Sequence, residues 1–527
     1  MLKFEKQIKM PDFLKGFAVL LCIVLMTSAI LYSCAPAEKS NVNANNGENA
    51  ENIDGGLEPD AGENQDRQDL SDDLAPADFN GANFRILYRN GCSRGNWAAY
   101  DVHKIEIAAE EENGDVINDA LYRRNKTVED RFNMNIIGIP YPSATSNEAE
   151  VANYTKKSVL SGADEFDLVV SWSTQIANIA AEGIFIDWNT IPDINTSKPW
   201  WISDAMDAFT IKGRSYLAMN DIIFSGVIGE AAFIMFNKNL LMDFGLENPY
   251  NMVEENRWTI DILDSIVKSC YIDVNGDEKR DSNNIYGFTS DAWGSAYAWM
   301  WAGGCHVTAK DEDGTPYYDL YSERNATLIE KVYNLFYNNT GSAICSQKST
   351  INFAGRDQAY LFSLGNALFM LDRVGVLCTP EYRNAAFDFG IIPIPKYDEK
   401  QEKYLTMINE HASVMAVPKF NDKLEMTGKI VEALAAESYK QLVPAYYEVA
   451  LKTKYSRDEE SVRMLDLIFD GVVYDFGLLY AIPTFDIYQT LLCNAKDGST
   501  FASTIEKNQA KAEKKLQDIL DLYDSID

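Results

Sequence analysis

Three of the chain's nine tryptophans, Trp293, Trp299 and Trp301, fall within nine residues of one stretch, "TSDAWGSAYAWMWAGG" (289–304). The stretch carries a carboxylate, Asp291, near its start and closes on Gly303-Gly304. An indole covers a flat apolar face, and a carboxylate accepts hydrogen bonds from hydroxyl groups. Together they suit a ligand with an apolar face and a polar rim. Trp299 and Trp301 share an apolar helical run with Met300, so they are expected in the core. Trp293, between Asp291 and Gly294, is the ligand candidate. Trp172 closes another stretch, "FDLVVSW". Asp221 reads either as a turn residue or as a cleft acid. Glu410-His411 reads either as a hinge pair or as a ligand contact.

Metal and catalytic chemistry have thinner support. "DVNGDEKRDSNNIYG" resembles a calcium loop, with oxygen side chains at positions one, three, five and nine: Asp273, Asn275, Asp277 and Asp281. Position six is Glu278 instead of Gly, and position twelve is Asn284 instead of a bidentate Glu. A structural calcium ion, weakly held if at all, is therefore the one cofactor considered. An Asx-rich turn is the alternative. There is no H-E-x-x-H, no nucleophile elbow and no P-loop. The three histidines, His103, His306 and His411, are far apart in sequence. No catalytic residue is assigned. A glycosidase would need only two carboxylates at the right separation.

The elements that must position these residues alternate. "FRILYR", "MNIIGI" and "FDLVVSW" read as strands. "DVINDALYRRNKTVEDRFN" and "NEAEVANYTKKSVLSG" between them read as helices. This β-α-β succession predicts a parallel sheet covered on both faces. Ligands on such sheets bind beyond the carboxyl ends of strands, where Trp172 falls. "FGIIPIP" and "SVMAVP" are further strands. "LEMTGKIVEALAAESY" and "STIEKNQAKAEKKLQDILDLYDSI" are helices, the last with a Ser503/Glu506 capping-box pattern. At 527 residues, two lobes are expected. A formal net charge of −32 argues against a nucleic-acid partner.

The N-terminus is an export signal by pattern. Lys3, Lys6, Lys9 and Lys15 precede "FAVLLCIVLMTSAIL", and "LYSC" follows, with Cys34 placed as in a lipobox. Residues 1–33 are the expected signal peptide, and Cys34 the residue that receives diacylglycerol and, commonly, palmitate. Residues 34–78, with 12 acids against two bases and few apolar groups, are expected to be a disordered acidic linker. The other cysteines are widely spaced, without C-x-x-C, and read as buried thiols.

From residue 80 onward the chain resembles the extracellular solute-binding proteins of ABC importers, in the maltose-binding-like family 1. The likeness rests on "FDLVVSW…IAAEGIFIDWN", "AAFIMFNKNLLMDFGLENPYNMVEENRWTIDILDSI", "NALFMLDRVGV…FDFGIIPIPK" and "SVMAVPK", in that order. It implies an α/β, two-lobed periplasmic-binding-protein-like fold (type II) with lobes joined by crossing strands. Lobe 1 would span 79–228 and 412–455, and lobe 2 would span 229–411 and 456–527. It also implies a monomer, lipid-anchored at the cell membrane and facing outside, that passes a solute to ABC transporter permease subunits. In oligosaccharide-binding relatives a Trp follows the third strand, as Trp172 does here. An acidic-aromatic pair precedes a Gly-Gly, as Asp291 and Trp293 do. Facing each other, Trp172 and Trp293 would stack on a mono- or oligosaccharide. Where relatives carry Gly-x-Trp, this chain has Leu371-Asp372-Arg373, so Asp372 and Arg373 would read polar or charged ligand groups. This leaves sugar versus peptide open. The alternatives are an extracellular carbohydrate-active enzyme and a surface glycan-binding adhesin without transport.

Overall fold

Short apolar runs become strands because burial on both faces needs no alternation. Leu168–Trp172 is such a run, buried at all five positions. The computed structural model describes residues 67–90, 107–142, 149–346, 348–349, 351, 358–378, 385–447 and 459–526. The expected signal peptide, Cys34, the linker up to residue 66, Cys92 and His103 lie outside the described residues.

Nine strands build two sheets among the described residues. They are β1 (Ala82–Asn90), β2 (Met134–Pro142), β3 (Leu168–Trp172), β4 (Ala232–Asn237), β5 (Tyr286–Asp291), β6 (Ser342–Cys345), β7 (Ala367–Arg373), β8 (Phe389–Ile392) and β9 (Ser413–Ala416). The first sheet runs β9-β3-β1-β2 and the second β8-β4-β7-β5-β6. In the first, β1, β2 and β3 are mutually parallel, and β9 returns antiparallel to β3, with Ser413 opposite Trp172. The second is mixed. β5 is parallel to β6 and β7, while β4 runs antiparallel to β7 and β8.

The helices that place the site are α1 (Val116–Phe132), α2 (Glu150–Ser161), α3 (Ser173–Ala180), α4 (Ala296–Ala302), α5 (Leu424–Glu437) and α6 (Phe501–Ser525). Asp115 caps α1 by accepting from the N–H groups of Ile117 and Asn118, and Asn133 ends it in the left-handed conformation at φ 48°. Leu121, Val128 and Phe132 on its apolar face are buried, as the periodicity predicts. α6 departs from expectation. It begins at Phe501, and Ser503 Oγ donates to the Thr500 carbonyl, so Ser503 lies inside the helix and does not cap it.

Two crossing segments run side by side between the sheets. Ala231 bridges Ile408, and Asn409 N donates to the Glu230 carbonyl at 3.1 Å. A second connection comes from the far end of α6. Lys212 Nζ lies 2.8 Å from Asp524, and Tyr523 packs edge-on against Tyr216. Trp200 and Trp201 close lobe 1 against α5, both donating their indole N–H to the buried Glu432. Burial pushes the Glu432 carboxyl above its ordinary range, against those hydrogen bonds.

The linker ends sooner than its composition predicts. Residues 67–78 already lie against lobe 1, where Asp72 pairs with Arg131 and Asp73 with Lys198. Acidic side chains that repel one another along a free chain find opposite charges on the folded body.

Candidate functional site

The carboxyl ends of β1 and β3 deliver the lobe 1 side. Arg89, near the end of β1, places its guanidinium 4.3 Å from the Trp172 ring centre. His411, on the crossing segment, stacks on Trp172 at 4.7 Å and 30°. Trp172 is only 6% exposed. It is therefore covered by a cation and an imidazole, not the open platform expected of it. Its Nε1 is buried without a hydrogen-bond partner. The next residue, Ser173, donates its hydroxyl to the Glu410 carbonyl at 2.9 Å, which ties α3 to the crossing segment.

The lobe 2 side forms where β5 and β7 end. Asp291 closes β5, and its Oδ1 accepts from the N–H groups of Trp293 (2.7 Å) and Gly294 (2.5 Å). Burial raises the Asp291 carboxyl, partly countered by those N–H groups and by the Arg373 charge. Asp372 and Arg373 close β7. Arg373 Nη1 lies 2.7 Å from Glu230 Oε2, and Asp372 Oδ1 accepts from the Arg373 N–H at 2.8 Å. Asp372 and Asp291 also pull on the Arg373 charge, so these groups share one small volume. Tyr297, on α4, stacks on Phe485 with ring centres 5.8 Å apart. The negative charges of Glu410 and Asp291 add to its burial in raising its phenol pKa.

The structure thus gathers Asp291, Asp372 and Arg373 at one sheet end, and Trp172 with His411 at the other, with Glu410 between them. Sequence reasoning missed Glu230 and Arg89. Each had a positional signal: Glu230 lies two residues before the first strand of lobe 2, and Arg89 ends the strand "FRILYR". Trp293 is 47% exposed, with its carbonyl held by Gln489 Nε2. Trp299 and Trp301 are core residues at 1% and 3% exposure. Gly303-Gly304 is no flexible joint. A side chain at Gly303 would run into Leu328, and Gly304 sits at φ +70°. Asp221 is buried in a 3-10 turn, and its carboxyl is raised strongly by burial, with Arg67 opposing.

A small cavity lies at the seam, lined by Ser173, Phe209, Glu410, Tyr474, Asp475 and Leu478. At about 20 Å³ it has room for roughly one water molecule, far less than a sugar ring.

The calcium-like loop spends its oxygens on its own backbone. Asp273 accepts from Gly276 and Glu278 N–H groups, Asn275 from Asp277, Asp277 from Lys279 and Asp281 from Asn283. Asn284, at position twelve, is fully buried and its side-chain N–H donates to the Lys279 carbonyl. Cys270, Cys305 and Cys493 are buried free thiols, and Cys345 is half-buried.

No family model matches the chain, and no curated protein matches it by sequence. Solved structures do. The maltose/maltodextrin-binding domain MalE from Bdellovibrio bacteriovorus, bound to maltotriose, aligns at TM-score 0.50 and 15% identity, covering 83% of this chain and 100% of that one. Its fold is that of the maltose-type solute-binding proteins. A cyclo/maltodextrin-binding protein complexed with maltotetraose aligns at 0.50 and 13%, covering 83% and 96%. UgpB from Mycobacterium tuberculosis, in complex with glycerophosphocholine, aligns at 0.51 and 16%, covering 84% and 98%. The bound molecules differ, so this solute-binding fold does not name a ligand, and the site must.

Proposed function

We propose that this chain is an extracellular, lipid-anchored solute-binding protein that holds a carbohydrate between its lobes and delivers it to an ABC permease. One observation carries the reading: an aromatic and cationic set (Trp172, Arg89, His411) and an acid-rich set (Asp291, Asp372, Glu230 around Arg373) end separate sheets beside the same crossing segment. Carboxylates and guanidinium groups suit the hydroxyl rim of a saccharide, and the exposed indole of Trp293 suits its apolar face. Hinged closure would bring Trp293 onto a ligand that the crossing segment already holds. Cys34 would anchor the protein, and the body would act as a monomer at the outer membrane surface. Calcium, if bound at 273–284, would be structural.

The buried Arg89, with its guanidinium over the Trp172 ring, favours a second reading, a polar solute that carries an anionic group. A thermal-shift screen over mono- and oligosaccharides, uronic acids, polyol phosphodiesters and short peptides separates the readings. Calorimetry and product analysis on each hit follow. A hit among neutral saccharides with no turnover supports the proposal. Turnover would make the chain an enzyme, and binding confined to peptides would overturn the carbohydrate reading.

A further inference from the structure

Residues 67–78 touch lobe 1 at three separate places. Arg67 lies 4.5 Å over the Tyr439 ring, and Gln68 Nε2 donates to the Lys440 carbonyl at 2.9 Å, both on the turn that follows α5. Lys198 Nζ donates to the Ser71 carbonyl at 2.8 Å and to Asp73 at 2.6 Å. Arg131, in the last turn of α1, pairs with Asp72 and donates to the Leu74 carbonyl at 3.4 Å. The Asp72 side chain is only 9% exposed. Tyr439 packs in turn on Trp200, whose indole N–H is held by Glu432. All of these partners belong to lobe 1.

We propose that residues 67–78 form a strap that fastens the membrane tether to lobe 1 alone. The inference rests on the anchored reading above only for its purpose, not for its geometry. Pull from an anchor at Cys34 enters the fold at Arg67, and lobe 2 stays free to close on a ligand. Charge complementarity favours the register: acids at 72 and 73 meet bases at 131 and 198, which sit on different elements, so a slip by one residue leaves one of the two bases without an acid.

Limited thermolysin digestion of the intact mature chain, read by mass, tests this without ligand or membrane. The protease cuts before bulky apolar residues. Cleavage before Val42, Ile53 and Leu57 should be fast. Cleavage before Leu70, Leu74 and Phe79 should be at least roughly tenfold slower, because it requires local opening. Arg131→Asp should bring Leu70 and Leu74 to the fast rate, and adding Asp72→Arg should restore protection. Equal rates at Leu57 and Leu74 in the unaltered chain would overturn the strap. So would a charge reversal at 131 that changes nothing. Should the strap fail while a saccharide still binds, only this inference falls. Should no solute bind while protection and rescue hold, only the functional proposal falls.

Discussion

Arg373 Nη1 lies 2.7 Å from Glu230 Oε2, and the two side chains are 14% and 8% exposed. The pair joins the end of β7 to the crossing segment, so it ties the site to the hinge. Removing one partner from a buried pair strands a charge, which costs about 3–5 kcal/mol. Glu230→Gln and Arg373→Met should each lower stability by that order in denaturant melts. Replacing both should cost less than the sum, because neither member of the pair is then left facing the site of the other. Strict additivity would mean that the pair does not act as a unit.

The tryptophans of 289–304 should separate by role. Trp299 is 1% exposed and packs edge-on against Phe288 and Phe336. Trp299→Ala should cost about 3–5 kcal/mol of stability. Trp293 is 47% exposed, so Trp293→Ala should stay within about 0.5 kcal/mol. Melting both variants is enough. An early-melting Trp293→Ala would return that residue to the core and remove it from the proposed site.

These contrasts show what the sequence carried. The helix over 116–132 was legible because its cap and its apolar spacing are both local. The strands over 82–90, 134–142 and 168–172 were legible because apolar runs bounded by helices leave little choice. Local signals could not reveal what covers Trp172. Arg89 and His411 are 83 residues before it and 239 after it, and only the sheet order brings them together. The strap was misread for a related reason. Composition describes how a segment behaves alone, whereas Asp72 and Asp73 are placed by Arg131 and Lys198 on other elements.

Acid should release the strap in a defined window. The Asp72 carboxyl is held below its ordinary range: burial raises it, but the hydrogen bond and charge of Arg131, the Leu74 N–H and the Lys440 charge together outweigh that. Asp73 is lowered chiefly by its hydrogen bond to Lys198. A folded-state pKa below the unfolded one contributes stability that is complete above the unfolded value, about 3.9, and is lost as pH falls through the folded value. Pepsin should therefore spare Leu70 and Leu74 at pH 4.5 and cut there at pH 2.5. Circular dichroism at both pH values must show the body still folded. Equal cutting at the two values would mean that these pairs do not hold the strap.

Chelation should barely affect the fold. The oxygens of Asp273, Asn275, Asp277 and Asp281 already accept backbone N–H bonds, and Asn284 brings no charge to position twelve. With EDTA the melting temperature should shift by less than about 2 °C, the scale of a fraction of a kcal/mol in a chain this large. A larger drop, reversed by calcium but not by magnesium, would establish a structural metal site in the loop.

Trp172 allows ring and N–H to be tested apart. Its ring is packed between other side chains, so Trp172→Ala should lower stability by about 3–5 kcal/mol, as for a buried aromatic. Trp172→Phe keeps an aromatic ring but shrinks it and removes Nε1–H, which donates to nothing in this structure. An unsatisfied buried donor costs about 1–3 kcal/mol, so its loss offsets part of the packing lost with the smaller ring. The Phe variant should therefore melt close to the unaltered chain. Its affinity for a saccharide found in the screen should fall roughly tenfold if closure turns the orphan N–H onto a ligand hydroxyl, worth about 1.4 kcal/mol. Calorimetry and melting on both variants decide the matter. A Phe variant that melts as early as the Ala variant would show that Nε1 has a structural partner. One that is stable and binds at full strength would leave Trp172 as packing for Arg89 and His411, with recognition resting on the lobe 2 acids and Trp293.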